Sequence, residues 1–383
     1  MTPLRERRTS PESLGKARDR LRRRIVVKVG TNVLTTQNGL LAENVMASLV
    51  AQISKAKDDG AQIILVSSGA MAAGQAILNS RSKRLPRASE SRRGVGERQV
   101  LASVGQAELI HRYGTLFRKH DVTCAQVLAT KEDFRDRQHY LNMRDCFTAL
   151  LQEGIVPVVN ENDVVSVSEL MFTDNDELAA LIASMVGAEA LILLTSVDGI
   201  QVTGKDGTSV VLRTAEREGD WKDHLRQEKS SFGRGGMQTK CRNAQRLATL
   251  GITTHIAKGT EPNVINRILV GEELGTTFPA KKTISSVKRW VAESGGKEKG
   301  VVTVNRCARD VLTEPGKAVS VLPIGIVKIE GEFSKGDLVR IQDEDGGEIG
   351  LGIAQYSSQV ARDAIGNKGQ KALVHYDYLY LFT

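Results

Sequence analysis

The strongest constraint on this chain is a pattern. Short, nearly continuous apolar runs at residues 25–29, 62–67, 123–128, 155–160 and 190–195 alternate with longer segments of helical spacing at 43–58, 70–78, 99–119, 140–153 and 176–186. A strand with one wet face alternates apolar and polar side chains. A run without that alternation is covered on both faces, which is the condition of a parallel sheet under helices. The pattern therefore predicts an α/β fold, a mostly parallel sheet sandwiched between helices. A further helix at 237–250 and a strand at 253–257 extend the same register. The loop at 81–98 is polar, basic and glycine-containing, and reads as a surface loop.

Beyond about residue 280 the texture changes. Short strands separated by Gly-Asp and Asp-Gly-Gly turns take over at 300–304, 320–322, 326–329, 338–341, 348–353 and 373–374. This predicts a small β-rich domain. Three segments result: a basic tail at 1–23, an α/β domain at 24–275, and a linker with the β-rich domain at 276–383.

Ligands of open α/β sheets bind beyond the carboxyl ends of the strands. The chain's polar residues collect there, in Lys28 to Asn32, Ser67 to Gly69, Asn160 to Asp163 and Thr195 to Gly199, each directly after a strand. Far downstream, Gly233-Arg234-Gly235-Gly236-Met237-Gln238-Thr239-Lys240 opens a helix. Glycine amides and a helix N-terminus favour an anion, and two lysines on glycine turns suit a transferring phosphoryl group. Neither a Walker-type loop nor a dinucleotide fingerprint occurs. The polar cluster Asn160-Glu161-Asn162-Asp163 and the later Thr173-Asp174-Asn175-Asp176 mix carboxylates with amides, as a zwitterionic amino acid requires. Asp174 or Asp176 can equally serve as the N-cap of the helix that follows.

Composition excludes other classes. The net charge of +8 is concentrated in the tail, where Arg5, Arg7, Arg8, Arg20 and Arg22 stand. That tail reads as a solvated segment, with a nucleic-acid arm as the alternative. It lacks the apolar core of a secretory signal, and no stretch is long enough to span a membrane. Cys124, Cys146, Cys241 and Cys307 are scattered, as free thiols of a reducing compartment are, and histidines show no ligand spacing. A cytoplasmic protein without a dedicated metal site is expected.

The motifs together resemble the amino-acid kinase superfamily, and within it the glutamate 5-kinases. They are Lys28-Val29-Gly30-Thr31-Asn32-Val33-Leu34-Thr35, Ser67-Ser68-Gly69-Ala70, Val104-Gly105-Gln106, Asn160-Glu161-Asn162-Asp163, Asp174-Asn175-Asp176 and Gly235-Gly236-Met237-Gln238-Thr239-Lys240, in the family's order. The tail domain resembles a PUA domain through Lys288-Arg289-Trp290 and Gly331-Glu332-Phe333-Ser334-Lys335-Gly336-Asp337. The resemblance implies ATP-dependent phosphorylation of the γ-carboxylate of L-glutamate, the first step of proline synthesis. It implies that Lys28 and Lys240 contact the ATP phosphates and that Asp176 orients them. Ser68, Asp163, Asn175 and Asn160 would hold glutamate. Thr195, Ser196, Arg234, Gly235, Gly236, Met237, Gln238, Thr239 and Lys240 would hold the nucleotide. Mg²⁺ would be carried by the phosphates and water. Proline as feedback inhibitor, with control near 134–144 and 166–172, a glutamyl phosphate reductase as partner, and a dimeric or tetrameric assembly follow from the same resemblance. The chain departs from the family at Ser196, Gln201 and Arg234, all on the nucleotide rim. Two alternatives stay open on the residues alone: a sister kinase with another acid substrate, and an RNA-binding PUA protein.

Overall fold

The computed structural model describes residues 23–36, 38–80, 93–165, 172, 174–203, 208–225, 236–281, 285–314 and 318–382. The chain divides into two compact units, Met1–Lys282 and Thr283–Thr383.

In the first unit, β1 (Arg24–Val29), α1 (Thr31–Leu34), α2 (Glu43–Asp58), β2 (Gln62–Ser67), α3 (Ala70–Ser80), α4 (Arg93–Arg118), β3 (Cys124–Ala129), α5 (Lys131–Arg135), α6 (Arg137–Gln152) and β4 (Val156–Glu161) come first. They are followed by α7 (Asn175–Val186), β5 (Ala190–Thr195), β6 (Gln201–Thr203), β7 (Ser209–Val211), α8 (Gly219–Leu225), α9 (Met237–Thr249), β8 (Thr253–Lys258), α10 (Val264–Leu269) and β9 (Thr276–Phe278). Among the described residues the main sheet has seven strands in the order β3-β4-β2-β1-β5-β8-β9. Every pairing is parallel except β8 with β9. The mostly parallel sheet read from the unbroken apolar runs is present: β2 and β4 are buried along their whole length.

The order places β1 at the switch point. From β1 the chain first builds to one side, through β2 to the edge strand β3 and back to β4 between them, then crosses over to lay β5 and β8 on the other side. A crevice opens at the carboxyl ends where the direction reverses. Strand alternation decides what faces it. Ile25, Val27 and Val29 join Met46, Leu49 and Ile53 of α2 in one core. Val26 and Lys28 therefore point to the opposite face, where α7 packs on β1. Helix α7 is buried from Leu178 to Val186 and ends at Gly187 in the left-handed conformation with φ 65°. A helix apolar all round is held by burial on every side, so its N-terminus is a rigid platform.

The structure corrects several boundaries. Helix α4 starts at Arg93, inside the segment expected to be a loop; residues 81–92 lie outside those described. Strand β9 falls in the stretch read as the linker and pairs with β8. The second unit holds helices that fading periodicity had not suggested: α11 (Ser286–Glu293), α12 (Arg306–Thr313) and α13 (Ser358–Ala364). Side-chain caps support the first two locally, Ser285 accepting from Lys288 N and Asn305 from Ala308 N. Around them β10 (Gly300–Val304), β11 (Ile326–Gly331), β12 (Leu338–Asp343), β13 (Glu348–Ile353) and β14 (Leu379–Leu381) form a sheet in the order β11-β10-β12-β13-β14. Its pairings are antiparallel apart from β10 with β12. Val302, Val304, Phe333, Val339 and Ile341 form its core. Among the described residues no helix is long and apolar enough to cross a membrane.

Candidate active site

A cleft of about 510 Å³ lies over the carboxyl ends of β1, β2, β4 and β5, within the range of small-molecule sites. Lys28, Ser68, Asn160, Asp163, Asn175, Asp176, Thr195, Ser196 and Lys240 all line it. Residues from six elements or their ends thus converge on one space. Gly236, Met237, Gln238 and Thr239 do not line it. Gly236 is the N-cap of α9, and the next three residues form the turn that delivers Lys240. Arg234 and Gly235 lie outside the described residues.

The centre of the cleft is a bridged lysine pair. Lys28 Nζ lies 2.7 Å from Asp176 Oδ1, and Lys240 Nζ lies 2.8 Å from Asp176 Oδ2. The Asp176 side chain is 1% exposed and the lysines 7% and 13%. Burial alone pushes the Asp176 carboxyl up, but the two ammoniums outweigh it and hold it below the usual carboxylate range. One carboxylate neutralises half of two charges and leaves the pair with a net positive charge facing the cleft. That is an arrangement for a phosphoryl group in transit.

The backbone around this pair is fixed by its neighbour. Asp174 is the N-cap of α7, its Oδ1 accepting from Asp176 N at 2.9 Å and Glu177 N at 3.0 Å. Its Oδ2 is buried without a hydrogen-bond partner among the described residues. Burial, and then the Asp176 charge, raise the Asp174 carboxyl above its ordinary value. Such an oxygen favours an incoming cation. Of the two cap candidates the sequence offered, the structure selects Asp174.

On the β2 and β4 side stands an amide set. Asn175 Nδ2 donates to Ser68 Oγ at 2.9 Å and to Asn160 Oδ1 at 3.0 Å. Asn160 Oδ1 also accepts from Glu161 N at 2.9 Å, and Asn160 Nδ2 donates to Gln106 Oε1 at 2.9 Å. Ser68 precedes Gly69, whose φ of 105° turns β2 sharply into α3. Helix α4 reaches this spot because Gly105 has no side chain: a Cβ there would sit 1.7 Å from Ala70 O. Glu161 Oε1 accepts from Phe172 N at 3.0 Å, and Phe172 meets Phe134 of α5 edge-on.

The cleft also contains residues to which the sequence had assigned no role. Thr31, Asn32, Met71, Arg98 and Glu161 line it. Thr31, Asn32 and Glu161 stood inside quoted motifs; Met71 and Arg98 sit on helix surfaces with no pattern to mark them. Beyond the ends of β8 and β5, Lys258 Nζ pairs with Asp198 Oδ1 at 3.2 Å.

Fold and site together define a phosphotransferase of the parallel-sheet kind, with lysines in place of a Walker loop. Comparison with known proteins places it further. The model of the amino acid kinase family matches residues 23–258, and that of the PUA domain matches residues 300–376. The glutamate 5-kinase of Chlorobaculum tepidum is 51% identical over 94% of this chain and 97% of its own length. That of Bacteroides thetaiotaomicron is 47% identical over 94% and 98%. Among solved structures, carbamate kinase from Giardia lamblia bound to AMP-PNP has the same fold at 14% identity, TM-score 0.50, covering 68% of this chain and 99% of that one. The chain belongs to the amino acid kinase family, in its glutamate 5-kinase branch. It is a kinase followed by a PUA domain, and the RNA-binding alternative is not favoured as its main activity.

Proposed function

We propose that the cleft transfers the γ-phosphoryl group of ATP to the side-chain carboxylate of L-glutamate, the first step of proline synthesis. The observation that carries this reading is the Asp176-bridged lysine pair standing directly beside the Ser68, Asn160 and Asn175 set. A glutamate γ-carboxylate oxygen attacks the γ-phosphorus in line. The bond from that phosphorus to the β,γ-bridging oxygen breaks, and ADP leaves with its electron pair. Glutamate is ionised at neutral pH, with an ordinary pKa near 4.3, so no general base is required. Lys28 and Lys240 meet the charge that spreads over the phosphoryl oxygens. Asp176 holds them at the right spacing beforehand, so little reorganisation remains for the transition state.

The acid is held by the opposite wall. Asp174 Oδ2 and Asp163 offer negative charge to its ammonium, and Ser68 and Asn175 offer polar groups to both its ends. The nucleotide lies toward Thr195, Ser196 and the start of α9, with Gly236 to Lys240 along its phosphates. Among the described residues no group of three or more His, Cys, Asp or Glu side chains is placed to hold a metal. Magnesium would enter with the nucleotide, as counter-ion to its phosphates, as the family resemblance implies. The acyl phosphate product is labile, which suits direct use by a reductase, and proline is the natural feedback signal.

The test is ADP release with ATP and Mg²⁺ against a panel of L-glutamate, L-aspartate, N-acetyl-L-glutamate and no acceptor, with hydroxylamine to trap acyl phosphate. Hydroxamate forms only with L-glutamate and disappears in Lys240→Ala. Equal turnover with aspartate or N-acetylglutamate overturns the substrate assignment.

A further inference from the structure

We infer that Gln106 is a positioning residue that sets the polarity of the glutamate wall. The inference rests on the acid-binding role proposed for Ser68, Asn160 and Asn175, and it adds a residue that touches none of the reacting atoms.

The hydrogen bonds of the wall begin at a donor that cannot be reversed. The backbone N–H of Glu161 can only donate, and it donates to Asn160 at 2.9 Å. The Asn160 atom it meets is therefore Oδ1. That orientation turns Asn160 Nδ2 away, toward Gln106, and the atom Gln106 presents must be an acceptor: Oε1, at 2.9 Å. Asn160 is 3% exposed, so its NH₂ group depends on this partner. A buried donor left unpaired is disfavoured strongly enough for the side chain to turn instead.

The polarity then passes outward. Asn160 Oδ1 accepts one proton of Asn175 Nδ2, and Ser68 Oγ accepts the other. Both amide protons of Asn175 are spent within the wall. Its Oδ1 is left as an acceptor, and the Ser68 hydroxyl, already accepting, keeps its own proton to donate. Asn175 and Ser68 both line the cleft. The wall thus presents one acceptor, fit for an ammonium, and one donor, fit for a carboxylate. Reversal of Asn160 would set two NH₂ groups against each other and force Asn175 to rotate, exchanging the two signs. Gln106 holds the end of this chain. Gly105, by letting α4 touch the start of α3, brings it within reach.

Steady-state kinetics on the full-length enzyme test this with three variants. Gln106→Met keeps the length and removes the acceptor. Gln106→Asn keeps the amide but withdraws it beyond hydrogen-bond reach. Gln106→Glu keeps an acceptor at the same place. Met and Asn variants should raise the KM for L-glutamate about tenfold, equivalent to about 1.4 kcal/mol, with the KM for ATP unchanged. The Glu variant should restore most of the lost affinity. A residue that served only the fold would change both KM values and the melting temperature together, and Glu would not rescue it. Wild-type glutamate KM in both Met and Asn variants overturns the inference, as does failure of Glu to differ from them. Ser68→Ala and Asn175→Ala separate the two levels. If they raise the glutamate KM while the Gln106 variants do not, only the role of Gln106 falls. If they too leave it unchanged, the acid-binding wall itself is misplaced.

Discussion

Replacing Asp176 by asparagine keeps the shape of the bridge and removes its charge. Two ammoniums hung on the two oxygens of one carboxylate lie roughly 5–6 Å apart, where like charges repel by about 3 kcal/mol at an effective dielectric of about 20. In the native cleft Asp176 meets both at 2.7 and 2.8 Å and cancels that repulsion. An asparagine can accept from one lysine only, and turns its NH₂ toward the other. Breaking a buried ion pair from one side typically costs about 3–5 kcal/mol, the same scale. Asp176→Asn should therefore melt several degrees lower, and kcat should fall by about 10²-fold or more as the lysines lose their spacing. The deciding assay is differential scanning calorimetry on a double-mutant cycle. Adding Lys240→Met to Asp176→Asn removes one of the repelling charges, so the double variant should regain most of the lost stability while staying inactive. A non-hydrolysable ATP analogue should likewise raise the melting temperature of Asp176→Asn more than that of the wild type, because its phosphates supply the missing negative charge. If the double variant melts no higher than the single one, charge repulsion is not what Asp176 relieves, and the account of the clamp fails.

Three further outcomes follow from the geometry. Burial on β8 holds the His255 imidazole down at about 4, against 6.5 in the unfolded chain. Its neutral form is thus favoured in the fold. That contribution is complete above pH 6.5 and drains away between pH 6.5 and 4, by about 2 kcal/mol at pH 5. Urea midpoints at pH 7.5 and 5 should show the loss, and His255→Gln should flatten it. Gly105→Ala places a methyl group 1.7 Å from Ala70 O, and the forced separation of α3 from α4 should cost roughly 3 kcal/mol or more. Gly96→Ala, with nothing within 4 Å of the new atom, should be neutral or stabilising; equal melting temperatures for the two would refute the close-contact reading. Because the Asp174 carboxyl is raised, it protonates before ordinary carboxylates as pH falls. The glutamate kcat/KM should decline on the acid side earlier than the ATP value does, and Asp174→Asn should lose that limb.

The sheet was legible because its strands are buried on both faces and leave unbroken apolar runs. Gly300–Val304 and Glu348–Ile353 of the second unit were equally readable from their turns. Elements held by distant partners were not. Strand β9 has three residues, and what fixes it is Thr276 Oγ1 accepting from Ile200 N together with its pairing to β8. Neither leaves a local trace. The start of α4 carries Gly94 and Gly96, so propensity pointed to a loop. At the site, the residue types were visible at the strand ends, and the resemblance assigned them roles. The bridge was implied by the resemblance, which has Asp176 orienting Lys28 and Lys240; the residues alone did not show it, since the three meet only after the sheet has folded. Gln106 lay in plain view within a motif, but its partner Asn160 sits on another layer, and only the path from Glu161 N shows why an acceptor belongs there.

Lys28 stands on the middle strand, with Ser68 and Asn160 carried by β2 and β4 to one side and Thr195 and Ser196 by β5 to the other. On the proposed function, the two reactants belong to separate stretches of polypeptide that meet along a seam. Acceptor choice can drift, or be re-engineered by exchanging segments between relatives, on one side of that seam without rewriting the nucleotide side.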